Sequence, residues 1–240
     1  MLRILDARTG EPVPAAPARR GLTRIEAHAS GLDPTALRVL LTADLLVRAL
    51  ELGGTPVWTI LTAPRDQPEL RTAATRLAVR PFEDGRDLAS GLGEAQAIHV
   101  AQRGFEDTPG EGPVVAVAPA RWAEEAGSDP AALRLALVGV PRSEPVCLDA
   151  AALDEAARSL ARWRRAVAGW ARRPSRPVPG DVRARLRAAW EDDLDLPAVL
   201  GVLREVESAP GIPDGARFET YAYADRLLAL DLSRDLGNPE

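Results

Sequence analysis

The sequence predicts an α/β chain in which a parallel-sheet domain over residues 1–128 is followed by an α-helical bundle over residues 129–240. Segments typical of strands and helices alternate in the first half. From residue 129 onward, the apolar residues keep helical spacing only. The length of 240 residues and the hydrophobic fraction of 46% are sufficient for a sizeable core.

The strands of the first half are predicted from short apolar runs between turn-forming residues. Residues 2–5 predict a strand, and the Pro-rich stretch that continues to Ala16 predicts a loop. Residues 55–62 are rich in β-branched side chains and follow a helix, so a βαβ unit with a parallel sheet is expected. Further strands are predicted at residues 76–79, 96–101 and 113–118.

The first helix carries clear start and stop signals. Asp33 is a candidate N-cap, Pro34 suits the first helical position, and Gly53 and Gly54 end the helix. These signals predict one long helix between the first pair of strands. Its apolar faces are supplied by Leu37, Leu40, Leu41, Leu45, Val47, Leu50 and Leu52.

The second half predicts a series of helices. Asp129 and Pro130 repeat the capping pattern, and residues 149–171 form the most regular helix. Its apolar residues alternate three and four apart, as in a bundle seam: Leu153, Ala156, Leu160, Trp163, Val167 and Trp170. With Trp190, these tryptophans are predicted to be core residues rather than base-stacking platforms. Further helices are expected over residues 181–190, from residue 195, and over residues 218–232.

The composition excludes several chemistries. The chain contains no lysine, so no P-loop or Schiff-base mechanism can operate. One cysteine and two histidines predict neither a disulfide framework nor a zinc site of the Cys/His type. No segment reads as a secretory signal or a membrane span, which predicts a cytoplasmic protein without a membrane partner.

The charges of the helical half are unevenly distributed. Residues 158–187 contain ten arginines and one acid, whereas residues 191–240 contain twelve acids and four arginines. Arg158, Arg162 and Arg165 share a helix face, with Arg172 and Arg173 following, and guanidinium groups suit phosphates. Two interpretations remain open: a solvated face neutralised by the acidic end, or a site for tRNA or another polyanion. The acidic C-terminal part is in turn a candidate surface for a protein partner.

Three motifs stand in order in the second half of the chain: D-P-A-A-L-R at residues 129–134, the start of a long helix at residues 148–160, and E-D-D-L at the start of residues 191–200. On these residues the chain resembles the cysteinyl-tRNA synthetase family, which has a D-P-x-A-L-R helix, a long Arg-rich helix and an acidic D-D-L helix in the same order. Residues 2–10 look like its opening strand and turn, and residues 37–50 like its first long helix. The chain is also similar to the synthetase-like ligase that joins cysteine to an amino sugar in mycothiol formation. The resemblance implies a Rossmann-like nucleotide-binding domain followed by helices.

The groups that perform the family's chemistry are missing from the corresponding positions. The H-I-G-H signature falls on residues 33–36, which contain no histidine, and the K-M-S-K-S signature cannot exist in a chain without lysine. The family's zinc requires a cysteine near residues 23–30, whereas Cys147 lies elsewhere. No catalytic residue and no zinc are therefore expected.

Four residues are candidates for a remnant nucleotide site. Asp33 and Thr35 lie at the start of the first helix, whose backbone N–H groups leave ATP open as a ligand. His28 reads either as a surface or capping residue or as a residue facing the old cleft. His99 alternates with apolar residues, so it is either a buried, hydrogen-bonded histidine or a second residue near that cleft.

Three functional hypotheses follow. The first is a synthetase-like paralogue that binds tRNA, a nucleotide or a protein without making adenylates. The second is an active ATP-dependent ligase in which arginine replaces the missing lysines. The third is a structural subunit that docks through its acidic part.

Overall fold

The computed structural model describes residues 1–17, 21–84, 94–105, 110–122 and 129–237. It confirms the α/β class, with a Rossmann-like parallel sheet and a series of helices. The chain divides into two compact units. The first contains residues 1–122, 142–147 and 191–194, and the second contains residues 123–141, 148–190 and 195–240. The predicted boundary at residue 128 lies outside the described residues.

The first unit is built on a five-stranded sheet in the order β5-β4-β3-β6-β7, in which every pair of strands is parallel. Its strands are β3 (Leu22–His28), β4 (Val57–Thr62), β5 (Glu83–Asp84), β6 (Glu94–Gln102) and β7 (Val114–Val117). Helix α1 (Pro34–Leu52) connects β3 to β4, and helix α2 (Gln67–Arg76) connects β4 to β5. Alternate residues of the central strands are fully buried and apolar, including Ile25, Ala27, Ile98 and Val100.

Helix α1 forms as its sequence signals predict. The Asp33 carboxylate accepts a hydrogen bond from the backbone N–H of Ala36 at 2.9 Å, and Pro34 begins the helix. The Gly53 N–H donates to the carbonyls of Ala49 and Leu50, which closes the last turn. Fifteen of its residues are buried, so the helix is held between neighbours on almost every side.

The first strands of the first unit differ from the sequence predictions. The expected loop before Ala16 contains strand β2 (Pro12–Pro14), which pairs antiparallel with β1 (Arg3–Leu5). A two-stranded ribbon accepts proline where a central strand would not. The strand that precedes α1 is therefore β3 rather than residues 2–5.

The strand predicted at residues 76–79 is wrong. Arg76 ends helix α2, Leu77 is its C-cap, and Ala78 adopts a left-handed conformation with φ of 55°, so the stretch is a turn after the helix. Leu70, Ala74 and Leu77 are all almost fully buried, and their spacing is helical. A small separate sheet pairs β8 (Ala120–Trp122) with β9 (Val146–Leu148).

The second unit contains five helices in its described residues. They are α3 (Pro130–Val138), α4 (Ala150–Trp170), α5 (Gly180–Glu191), α6 (Leu196–Ser208) and α7 (Asp214–Leu228). Helix α4 packs against α3 and α7. All six seam residues predicted for α4 are buried, and the tryptophans at 163, 170 and 190 are core residues as predicted.

Two buried arginines hold the end of α7. Arg134 Nε donates to the Leu228 carbonyl at 2.6 Å, and Arg164 donates to the carbonyls of Leu230 and Asp231. These carbonyls lie where a helix end leaves acceptors without helical partners. Helix α7 ends four residues earlier than predicted because Ala229 adopts a left-handed conformation with φ of 49°. Among the described residues, no helix has the length and apolar character needed to cross a bilayer.

Candidate functional site

The sheet order creates a topological switch point. From β3 the chain passes through α1 to β4 on one side, whereas β6 pairs with β3 on the other side. Where the connections from two adjacent parallel strands run to opposite sides, a crevice forms outside the carboxyl ends of the strands, which is the usual ligand site of open α/β sheets. The carboxyl-terminal halves of β3 and β6 are therefore the expected location of a ligand site.

Three polar side chains meet at these strands. Glu26 and His28 lie two residues apart on β3 and therefore project from the same face, and His99 on β6 pairs directly with Glu26. The His28 Nε2 and His99 Nδ1 atoms are 3.0 Å apart. The Glu26 carboxylate oxygens lie 3.9 Å from His28 Nε2 and 3.7 Å from His99 Nδ1. We refer to Glu26, His28 and His99 as the switch-point cluster.

Neighbouring groups fix the orientation of the cluster. His99 Nε2 lies 3.2 Å from the Glu111 carbonyl, which requires Nε2 to carry the proton and donate it. His99 Nδ1 is then unprotonated and turns its lone pair toward His28 and Glu26. The Glu26 Oε1 atom accepts a hydrogen bond from Thr62 Oγ1 at 2.9 Å. His99 Nδ1 and the Glu26 carboxylate thus present lone pairs toward His28 Nε2.

Both imidazoles are held in the neutral form. Burial lowers the pKa of His28 to about 4, although the nearby Glu26 carboxylate opposes the change. Burial also lowers the pKa of His99, with Arg8 and Arg24 contributing in the same direction and Glu111 and Glu26 opposing it. Neutral imidazoles are ligands and hydrogen-bonding groups rather than cations.

The structure brings together two of the four predicted nucleotide-site residues. His28 is only 1% exposed, so the expectation of a surface or capping histidine is wrong, because its strand is the central one of the sheet. His99 is fully buried and hydrogen-bonded, as its alternation with apolar residues predicts. Asp33 serves as the N-cap of α1, and the Thr35 hydroxyl accepts from the Ala120 N–H at 3.1 Å.

Sequence reasoning did not identify Glu26. Glu26 alternates with the buried Ile25 and Ala27, a pattern that gives a strand a polar face. The alternation is visible in residues 22–28. However, His99, the residue of β6 that pairs with Glu26, lies 73 positions away, and only the strand register brings the two together.

The predicted arginine face of α4 is exposed but partly paired. Arg158 donates to Glu155 at 2.8 Å, and Arg162 donates to Glu207 on α6 at 3.0 Å. Arg165, Arg172 and Arg173 are also exposed. Arg173 lies 4.0 Å from Asp214, an acidic residue of α7. These contacts match the interpretation of a face neutralised by acidic helices, and the binding of a polyanion stays a prediction.

No family model matches the chain. A curated protein from Acidothermus cellulolyticus, L-cysteine:1D-myo-inositol 2-amino-2-deoxy-alpha-D-glucopyranoside ligase, is 39% identical over 108 residues. The chain is similar to a synthetase-like ligase. The matched segment is 45% of this chain and 26% of the ligase, so the chain spans about a quarter of the relative it matches. The match supports the resemblance to the synthetase-like group.

The thiol-containing zinc site that the resemblance implies does not fit the residues of this chain. Cys147 is exposed on β9 and is not part of the switch-point cluster. The positions around residue 28 offer imidazole and carboxylate groups instead.

Proposed function

We propose that the chain is a synthetase-like protein that binds a nucleotide at the carboxyl edge of its parallel sheet without forming an aminoacyl adenylate. The observation that carries this proposal is the switch point itself, where the chain leaves β3 toward β4 and leaves β6 toward β7 on the opposite side. Arg8 and Arg24 are close enough to the cluster to influence the pKa of His99. Their guanidinium groups suit the phosphates of a nucleotide.

The chemistry of the cluster favours binding over adenylate formation. Adenylate formation develops negative charge on a phosphate, which requires donors aimed at that charge. His28 and His99 are neutral, buried and turned toward each other, and the chain contains no lysine. Glu26 adds a carboxylate that would repel a phosphate at this point. The proposed site therefore has the phosphate nearer the two arginines than the histidines.

An active ligase is the second candidate, and the similarity to the cysteine ligase favours it. In that case the guanidinium groups of Arg8 and Arg24 take the place of the missing lysines, because arginine binds phosphate oxygens in a bidentate manner. The two candidates differ in one measurable reaction, the reversible formation of an adenylate from ATP and an amino acid.

Titration of the protein with ATP, followed by calorimetry, is expected to show saturable binding of one nucleotide. Replacing Arg8 and Arg24 together with glutamine is expected to lower the affinity at least about tenfold, because charge-assisted hydrogen bonds are removed. The variant Arg176→Gln, which removes an exposed arginine of the second unit, is the matched control and should bind as the parent does. Absence of saturable binding would reject the nucleotide site.

The same preparation is then assayed for exchange of labelled pyrophosphate into ATP with each standard amino acid. We expect exchange at the level of the control without amino acid. Exchange that depends on cysteine or another amino acid would establish the ligase instead.

We also propose that any contact with tRNA is made by the exposed face of α4. Replacing Arg158, Arg162 and Arg165 with glutamine is expected to weaken RNA binding and to reduce the slope of log affinity against log salt by about 2 to 3, because each phosphate that is no longer neutralised lowers the slope by about 0.7 to 0.9. The paired variant Glu155→Gln with Glu207→Gln removes the competing acids and should strengthen binding. Unchanged binding in both variants would show that the face is only a solvated ion-pair surface.

A further inference from the structure

We propose that Glu26, His28 and His99 bind a divalent transition-metal ion, and that zinc is the ion their donor set suits best. Two imidazole nitrogens and one carboxylate are a donor set that zinc accepts at bond lengths of about 2.0 to 2.2 Å. This proposal concerns a ligand other than the nucleotide and does not depend on it.

The spacing of the donor atoms is the first argument. In a tetrahedral zinc site with bonds of about 2.0 to 2.1 Å, neighbouring ligand atoms are about 3.3 Å apart. His28 Nε2 and His99 Nδ1 are 3.0 Å apart, Glu26 Oε1 is 3.9 Å from His28 Nε2, and Glu26 Oε2 is 3.7 Å from His99 Nδ1. Small side-chain rotations of Glu26 would bring its oxygen to the required distance, and the two imidazoles need almost none.

The surrounding hydrogen bonds are the second argument. A histidine that binds a metal usually donates its other ring N–H to a carbonyl or carboxylate, which fixes its tautomer. His99 already does so, because Nε2 donates to the Glu111 carbonyl while Nδ1 faces the cluster. Thr62 holds the Glu26 carboxylate in the same way. Two of the three ligands, His99 and Glu26, are therefore oriented before an ion arrives.

This site differs from the expectation drawn from the sequence. The small number of cysteines and histidines predicted no zinc site, because the count does not show that both histidines lie on adjacent strands. Its donors are nitrogen and oxygen, without the cysteine that the family resemblance implies. Three protein ligands leave one position of a tetrahedral ion for water or a small ligand.

The competing arrangement is a hydrogen-bonded pair of neutral histidines. In that arrangement His28 Nε2 carries a proton and donates it to His99 Nδ1 across the observed 3.0 Å. A metal ion would take the place of that proton on Nε2, and the proton would move to Nδ1 of the same ring, so the tautomer of His28 separates the two states.

The test is titration of untagged protein, or protein freed of its tag, with zinc and with cobalt in the absence of nucleotide. We expect one zinc ion per chain by calorimetry and, for cobalt, the intense visible absorption of a four-coordinate site. The chain has only two histidines, so the imidazole ¹⁵N signals report on the cluster directly. Zinc should shift the Nε2 signal of His28 and the Nδ1 signal of His99.

The variants His28→Gln and Glu26→Gln are each expected to weaken zinc binding at least about 100-fold, and Thr62→Val about tenfold, as removal of an outer-shell partner does. Cys147→Ser is the matched control and should bind zinc as the parent does, since this thiol lies outside the cluster. Absence of saturable binding, unchanged imidazole signals, or abolished binding in Cys147→Ser would overturn the proposal. ATP binding is measured separately with a chelator present, so failure of one proposal is distinguishable from failure of the other.

Discussion

Replacing Gly215 with alanine is expected to destabilise the helical unit by about 3 kcal/mol or more, at the upper end of the cost of overpacking a core. Gly215 lies in the first turn of α7, and a Cβ atom built on it would be 2.0 Å from the Pro174 carbonyl oxygen and 3.0 Å from its carbon. Both neighbours are backbone atoms, so they cannot rotate away. The two chain segments would have to separate, and the packing between them would be disrupted.

The matched control is Gly201→Ala in the interior of α6, where no atom lies within 4 Å of the built Cβ. There the same substitution should stabilise the protein by about 0.5 to 1 kcal/mol, because alanine is the better helix former. The two Gly→Ala substitutions are expected to change the free energy of unfolding in opposite directions. The difference separates the effect of the steric contact from that of helix propensity.

Urea unfolding followed by tryptophan fluorescence measures both variants. Trp163, Trp170 and Trp190 are buried in the second unit and report on its unfolding. Equal midpoints for Gly215→Ala and the parent protein would show that Pro174 is not held against α7.

The helices could be predicted from the sequence because their signals are local. Asp33 with Pro34 marks the start of α1 within two positions, and the Leu153 to Trp170 seam shows its period within α4. Capping and periodicity depend on neighbouring residues, so no knowledge of the tertiary structure is required.

The sheet was harder to predict because strands depend on distant partners. Strand β3 carries polar side chains at Arg24, Glu26 and His28, which resembles a half-exposed strand although it is central. Strand β2 is recognisable only through its pairing with β1. The stretch at residues 76–79 has strand-like composition, but it forms the end of α2 and the turn that follows, in which Ala78 is left-handed.

The candidate site could be predicted only in part, because it also depends on contacts between residues that are distant in the sequence. His28 and His99 could each be singled out as unusual residues, yet their separation of 3.0 Å follows from the register of β3 with β6. Glu26 was missed because a glutamate on a strand is ordinary until its cross-strand neighbour is known. Residue types can therefore be read from the sequence, whereas the combination that makes them a site cannot.

Replacing Gly112 with alanine is expected to cost the first unit about 3 kcal/mol or more and also to weaken zinc binding about 10- to 100-fold. Gly112 has a φ of 118°, and a Cβ atom there would lie 2.3 Å from the Ala97 carbonyl oxygen on β6. The residue before it, Glu111, supplies the carbonyl that accepts the His99 N–H. Relief of the clash must move the backbone that orients His99.

Gly104→Ala separates backbone strain from this close approach. Gly104 also has a positive φ, 81°, but nothing lies within 4 Å of its built Cβ. Its substitution should cost only about 1 to 2 kcal/mol, the strain of a left-handed alanine, and should leave zinc affinity unchanged. Unfolding followed by circular dichroism and zinc titration of the folded variants measure the two effects. If both variants were destabilised equally and both bound zinc as the parent does, the approach of Gly112 to β6 would not be what holds His99, and orientation of this imidazole would have to come from His28 and Glu26 alone.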